Sequence, residues 1–176
     1  MKTGNISAKV NMLPNELKTV KELIYDSCGF DLTNLKLRRE SSEYGACSFE
    51  LNNKLIQYRE AKITPLKMGQ FVTIWRRNKE GITEPFNVLD DLDFIIIATK
   101  RENNFGHFIF PKSVLAEKGV ISRHDKEGKR GLRVYAPWDT VANKQAEKTQ
   151  SWQTKYFLRI DNGNSINEDL LRKLLS

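Results

Sequence analysis

The chain has 176 residues, 39% hydrophobic and 29% charged, with a formal net charge of +7. That balance suits one globular domain that can bury a core without disulfide or metal staples. No run approaches the roughly 18 apolar residues of a membrane span, "MKTGNISAKVNMLPNEL" holds no continuous apolar signal region, and Cys28, Cys47, His107 and His124 lack the spacing of a structural zinc site. The expectation is a cytoplasmic protein with no membrane association and reduced thiols. The charge is one-sided: residues 1–99 hold 14 Lys and Arg against 13 Asp and Glu, and residues 100–176 hold 15 against 9. Such a field favours polyanionic partners, nucleic acid or nucleotide among them.

Residues 1–176 are expected to form a single domain, with 1–12 a loosely ordered N-terminal tail. Pro14 begins a helix in which Leu17, Val20 and Ile24 recur at helical spacing, and Gly29 stops it. "DLTNLKLRRE" is ambiguous. "YGACSFEL" and "LIQYREAKI" predict two strands joined at Asn52-Asn53, residues that tolerate positive φ in a tight hairpin. Pro65 makes "TPLKMGQ" a turn, and "FVTIWRRN" alternates as a third strand. "KEGITEPFNVLDD" is expected to be a loop. "LDFIIIATK" is apolar on both faces and predicts a central strand. "HFIFP" is a fifth strand, and "KSVLAEKG" a short helix closed by Gly119. "SRHDKEGKRG" is polar and exposed, and "LRVYAP" is a sixth strand. Asp139 or Thr140 is expected to cap a helix through "VANKQAEKTQSWQTKYFL", and Ser165 another over "INEDLLRKLLS". The order implies an α/β domain, a mixed central sheet flanked by helices. The hairpin 44–63 and strands 71–77 and 93–99 are expected in that one sheet.

Three constellations can carry chemistry. With a two-residue loop at Asn52-Asn53, Gly45 faces Glu60 and Glu43 faces Lys62, so Glu43, Glu60 and Lys62 converge on one side of the hairpin. An acid followed by acid-x-Lys resembles the pattern of restriction-endonuclease-like nucleases. There two carboxylates, here Glu43 and Glu60, hold Mg²⁺ through oxygen, the metal lowers the pKa of a bound water, and the lysine positions that water. The second set is Asp90, Asp91 and Asp93, before the buried strand. Phe110 stands where a metal pattern there needs an acid, so a loop-ending role is preferred.

The third set is cationic and aromatic, concentrated in "KRGLRVYAPWDTVANKQAEKTQSWQTKYF" (residues 129–157). Arg133 and Tyr135 share a strand face, and Trp138, Gln150 and Trp152 follow. Lys62, Lys67 and Gln70 border the Pro65 turn, Arg76 follows Trp75, and Lys112 starts a helix. Cations contact phosphates, aromatic faces stack on bases, and amides read polar edges. No glycine-rich phosphate loop is present, and His107, on an apolar strand, is expected to be packed.

The segments "ESSEYGACSFELNNKLIQYREAKITPLKMGQFVTIWRRN", "DFIIIAT", "GHFIFPKSVL" and "GLRVYAPWD…KTQSWQTKYF" resemble the MepB-like proteins of Gram-positive bacteria over roughly residues 12–160. That family is named for a product encoded beside a multidrug efflux pump and its repressor. The resemblance implies a restriction-endonuclease-like fold, grouped with the tRNA-endonuclease topology. Glu43 stands where aspartate is more usual in such a nuclease pattern, and no proline precedes it, so cleavage is a weaker expectation than binding. The first functional expectation is nucleic-acid or nucleotide binding, DNA included, in a basic, aromatic-lined cleft without efficient catalysis. The alternatives are a Mg²⁺-dependent nuclease using Glu43, Glu60 and Lys62, and a protein-interaction or small-ligand module linked to multidrug resistance.

Overall fold

The structure, a computed structural model, describes residues 12–160 and 167–176. The expected tail therefore lies, Met12 apart, outside the described residues. Helix α1 (Asn15–Val20) continues into a π-helical turn over Lys21–Tyr25, and Gly29 at φ 74° ends the segment. The ambiguous stretch forms strand β1 (Leu32–Leu37). After a 3₁₀ turn at Ser42–Tyr44 come β2 (Cys47–Leu51) and β3 (Lys54–Glu60). Asn52 and Asn53 take φ of 48° and 67°, which matches the twist a two-residue hairpin needs. Four short strands follow: β4 (Lys62–Ile63), β5 (Gln70–Thr73), β6 (Trp75–Arg77) and β7 (Thr83–Pro85). Then come β8 (Phe94–Arg101), β9 (Asn104–Pro111), α2 (Lys112–Glu117) and β10 (Gly131–Val134). The chain closes with α3 (Lys144–Gln153), a 3₁₀ turn (Thr154–Tyr156), β11 (Phe157–Arg159) and α4 (Glu168–Leu174). Among the described residues no helix is long and apolar enough to cross a membrane.

The main sheet has six strands in the order β1-β2-β3-β8-β9-β11. It is mixed: β3 and β8 are parallel, and the other pairs are antiparallel. β8 is buried from Phe94 to Thr99 because each of its faces meets a core. Phe94, Ile96 and Ala98 join Leu17, Val20 and Ile24 of the first helical segment and Leu171 and Leu174 of α4. Ile95 and Ile97 join Leu115 of α2, Val72, Leu132 and Val134, with Trp152 of α3 packed against them.

Several expectations need correction. Residues 71–77 do not enter the main sheet. β5 lies between β10 and β4 in a separate three-stranded sheet, and β6 pairs with β7 inside the expected loop. Val72 and Ile74 are buried while Phe71, Thr73 and Trp75 are only partly covered. A strand with one apolar face stacks on a sheet more readily than it fills the middle of one. Neither Asp139 nor Thr140 caps α3. The Asp139 carboxylate turns back to accept from Ala136 N at 2.8 Å, and Asn143 Oδ1 accepts from Ala146 N at 2.8 Å instead. The helix also stops at Gln153, because Phe157 and Leu158 are buried as β11 against β9. Ser165 lies outside the described residues; α4 is capped by Asn167, whose Oδ1 accepts from Leu170 N at 3.0 Å.

Candidate nucleic-acid interface

The small sheet aligns Lys62 with Phe71 across β4–β5, and Phe71 with Arg133 across β5–β10. Residues directly opposite in antiparallel pairs share a face, so a cation, a ring and a cation form one row. Tyr44 adds a second ring: its centroid is 6.3 Å from that of Phe71, and Lys62 Nζ stands 4.9 Å above it. Arg133 donates to Met68 O at 2.9 Å and to Thr64 Oγ1 at 2.8 Å, tying the Pro65 turn to β10. Lys67 projects from that turn into solvent. Gly69, at φ 71°, is required there, since a Cβ would strike Val134 O and the Tyr135 ring. At the tip Leu66 is fully exposed with φ 63°, a left-handed conformation costly for a branched side chain. A cavity of about 370 Å³ opens between the turn and the start of α3, lined by Leu66, Lys67, Arg133, Tyr135 and Asn143 among others. Lys62, Lys67 and Arg133 meet no carboxylate at ion-pair distance among the described residues.

The amides and tryptophans of 138–153 have different duties. Gln153 is fully buried; its Oε1 accepts from Tyr135 N at 2.8 Å and its Nε2 donates to Arg133 O at 3.1 Å. It thereby satisfies β10 where no further strand does. Gln150 Nε2 donates to Ala136 O and Asp139 O, both at 2.9 Å, and holds the Pro137–Trp138 turn. Trp138 is half-buried edge-on to Phe157 at 5.4 Å, and Trp152 packs on Phe110 at 5.3 Å. These residues shape the site from beneath.

Gln70, Arg76 and Lys112 are also engaged elsewhere. Gln70 is buried, and its Nε2 donates to Lys100 O at 3.0 Å, joining β5 to β8. Arg76 meets Asp90 through Nε at 2.7 Å and Nη2 at 2.9 Å, and meets Glu84 through Nη1. Lys112 Nζ donates to Asp90 O at 2.7 Å. Asp93 Oδ2 accepts from Leu55 N at 2.8 Å, so the acidic run before β8 organises a turn, with Asp91 exposed.

Glu43, Glu60 and Lys62 do line one cavity, of about 500 Å³, together with Arg38, Gly45 and Ala61. Glu60 lies over Gly45, where a Cβ would strike its carboxylate. Burial and the nearby Glu16, partly offset by Lys62, push the Glu60 carboxyl up to about 7. Glu43 is exposed on the 3₁₀ turn rather than on a strand. Mg²⁺ takes near-octahedral oxygen coordination and prefers ionised carboxylates. This lining offers two carboxyls, one held partly protonated, beside two cations. Among the described residues no group of three or more His, Cys, Asp or Glu gathers for a metal. Two carboxyls match the one or two that Mg²⁺ commonly takes from a protein, and the raised Glu60 carboxyl and the two neighbouring cations make this a weak donor set for the metal.

With that geometry in place, the comparisons with known proteins decide the family. The MepB-like family model matches residues 38–159. The chain belongs to the MepB-like family. A solved structure described as the crystal structure of MepB superimposes with a TM-score of 0.73 at 30% sequence identity, covering 86% of this chain and 99% of that one. A search of curated proteins finds no match. Every candidate residue from Glu43 to Trp152 falls inside the MepB-like span, whereas α1 and α4, which cover one face of the main sheet, fall outside it. Sequence reasoning missed Tyr44 and Phe71, because the row they complete depends on pairing between β5 and a strand about sixty residues downstream. The alternation of Phe71 with buried Val72 was the one local signal.

Proposed function

We propose that this chain binds nucleic acid through the open face of β4-β5-β10, without efficient cleavage. One observation carries the reading: Lys62 and Arg133 flank Phe71 in register, and neither cation has a carboxylate partner among the described residues. Unpaired cations on a surface attract phosphate and release its counterions on contact. Phe71 and Tyr44 supply ring faces, and Tyr135 and Lys67 extend the strip to the Pro65 turn. The exposed Leu66 adds an apolar tip between cations, the kind of side chain that can wedge against a base step. Glu43 and Glu60, the latter raised to about 7, make a weak donor set for Mg²⁺, and this reading assigns Lys62 to phosphate contact. The mixed sheet with helices on both faces is in keeping with the restriction-endonuclease-like grouping. Two free cysteines, Cys28 and Cys47, suit a reducing cytoplasm.

The test is binding of labelled duplex DNA, single-stranded DNA and RNA across a salt series, by fluorescence anisotropy. The reading expects an affinity that falls steeply and log-linearly with salt, and intact strands after incubation with Mg²⁺ or Mn²⁺. Binding that ignores salt would instead favour a protein-interaction or small-ligand module. Metal-dependent cutting lost in Glu60→Gln would restore the nuclease.

A further inference from the structure

The residues on the face of β3 opposite Glu60 are Gln57 and Arg59. Arg59 is only 3% exposed. A buried guanidinium is ordinarily matched by a carboxylate, since desolvating an uncompensated charge is costly. Arg59 meets carbonyls alone. One Nη donates to Tyr58 O at 2.8 Å, the other to Trp75 O at 3.4 Å, and Nε has no partner. The Phe86 ring lies 5.7 Å from the guanidinium carbon. Burial lowers its pKa to about 10, which leaves the side chain charged at neutral pH.

Arg59 borders a cavity of about 200 Å³, whose wall also holds Arg38, Glu40, Gln57, Arg76 and Arg77. Four guanidiniums thus face one carboxylate. Arg76 is neutralised by Glu84 and Asp90, neither of which lines the cavity. Arg77 Nε stands 3.5 Å from Glu40. Among the described residues the Arg38 side chain has no ion pair and reaches only Ser48 Oγ, at 3.3 Å. Among the described residues two of the four charges, Arg38 and Arg59, therefore make no ion pair at contact distance, Glu40 acting on Arg59 only from further off, and Arg59 is almost fully buried.

We propose that this cavity is a binding site for a tetrahedral oxyanion of the phosphate class, gripped by Arg38 and Arg59 and supported by Arg77. The planar fork of a guanidinium matches two oxygens of such an anion. The cavity is smaller than the 300–1,000 Å³ usual for drug-sized ligands, so it fits a phosphate group rather than a whole nucleotide. A purely structural Arg59 would be expected to use all its donors. Here Nε is buried and unmatched, so the guanidinium keeps unused donor capacity beside the cavity it lines. The site lies at the β6 end of the segment 71–77; Arg38 also borders the cavity of Glu60 and Lys62, whereas Arg59 and Arg77 do not. The phosphate group can come from free inorganic phosphate or from the 5′ end of a nucleic-acid strand.

The experiment is thermal unfolding of the full chain in rising sodium phosphate, with sodium chloride adjusting every sample to one ionic strength. The wild-type protein and Lys148→Ala, a charge-matched change on the exposed face of α3, should show a saturable rise in melting temperature. Arg38→Ala should lose most of that rise, with half-saturation shifted at least fivefold. Arg59→Lys should weaken it about tenfold; if that variant does not fold, Arg38→Ala alone decides. A second arm compares one oligonucleotide carrying a 5′-phosphate or a 5′-hydroxyl. A several-fold preference for the 5′-phosphate that disappears in Arg38→Ala identifies a strand end as the source. A phosphate-induced rise without that preference identifies free phosphate. A shift no larger than in chloride together with no end preference, or effects identical in Arg38→Ala and wild type, overturns the site. The 5′-hydroxyl arm separately reports the nucleic-acid reading, because its salt dependence needs only the small-sheet row.

Discussion

Two neighbouring regions use the same kinds of residue to opposite ends. In the stretch from Tyr135 to Gln153, the amides and carboxylate that face inward are consumed internally, while Lys144, Gln145, Glu147 and Lys148 face solvent: Gln153 serves both backbone groups of the β10 exit, Gln150 serves two carbonyls, and Asp139 serves Ala136 N. Across the small sheet and its Pro65 turn, Lys62 and Lys67 have no hydrogen-bonded partner, and Glu60, at the neighbouring end of β3, forms no ion pair, among the described residues. A large polar side chain points to a ligand only when bonding capacity is left over. By that criterion Gln150, Gln153 and the tryptophans are scaffold, Lys62 and Lys67 are the working surface, and Arg133 does both, tying the Pro65 turn to β10 while its guanidinium keeps further N–H donors free of a carboxylate.

The sharpest way to break the contrast is to remove a scaffold amide. Gln153→Leu leaves the part-buried Tyr135 N–H and Arg133 carbonyl unmatched, and should cost about 2–6 kcal/mol in urea unfolding, at roughly 1–3 kcal/mol for each stranded group. A change under 1 kcal/mol would mean that Gln153 is not a staple. Trp138→Ala should destabilise by about 2–3 kcal/mol, less than a fully buried tryptophan because the side chain is only partly covered. Its salt slope for nucleic-acid binding should be unchanged; a weakened affinity in a protein of normal stability would return Trp138 to the interface.

Glu60 sharpens the contrast from the other side. Its folded pKa of about 7 stands above the ordinary carboxyl value of 4.5. Below pH 4.5 the group is neutral whether folded or unfolded, so it costs nothing. As pH rises from 4.5 to about 7 the unfolded chain ionises first, and the native state loses relative stability. Glu60→Gln should therefore melt higher than wild type at neutral pH, with the gap closing as pH falls towards 4.5. A gap independent of pH would show that Glu60 has an acceptor or counter-ion in the fold. The smallest effect is expected at Leu66. Leu66→Asn should relieve left-handed strain and stabilise by up to about 1 kcal/mol, while weakening binding if the leucine tip touches the ligand.

The legible parts of this molecule were local or two-sided. Asn52-Asn53 announced its hairpin because positive φ at two successive residues has few other uses. "FIIIA" announced a central strand because both of its faces are apolar. Arg133 was readable as a strand residue, but Tyr135, expected on the same strand, lies just past the end of β10, where Gln153 Oε1 takes its N–H. The row Lys62–Phe71–Arg133 was not readable, since it joins three segments whose register no local pattern encodes. Nor could sequence separate Gln153, a staple, from an amide that reads a base: the residue type is the same, and only burial tells them apart. Phe157 hid the end of α3 in the same way, because its place beside Phe108 on β9 outweighs the helical run before it.

The most direct test of the central claim is the slope of log affinity against log salt for a labelled DNA duplex, measured for wild type, Lys62→Ala/Lys67→Ala and Lys148→Ala. Each lost phosphate contact reduces the slope by about one. The account predicts that the double variant binds more weakly with a slope shallower by about two, while Lys148→Ala matches wild type. Equal slopes in wild type and the double variant would contradict it.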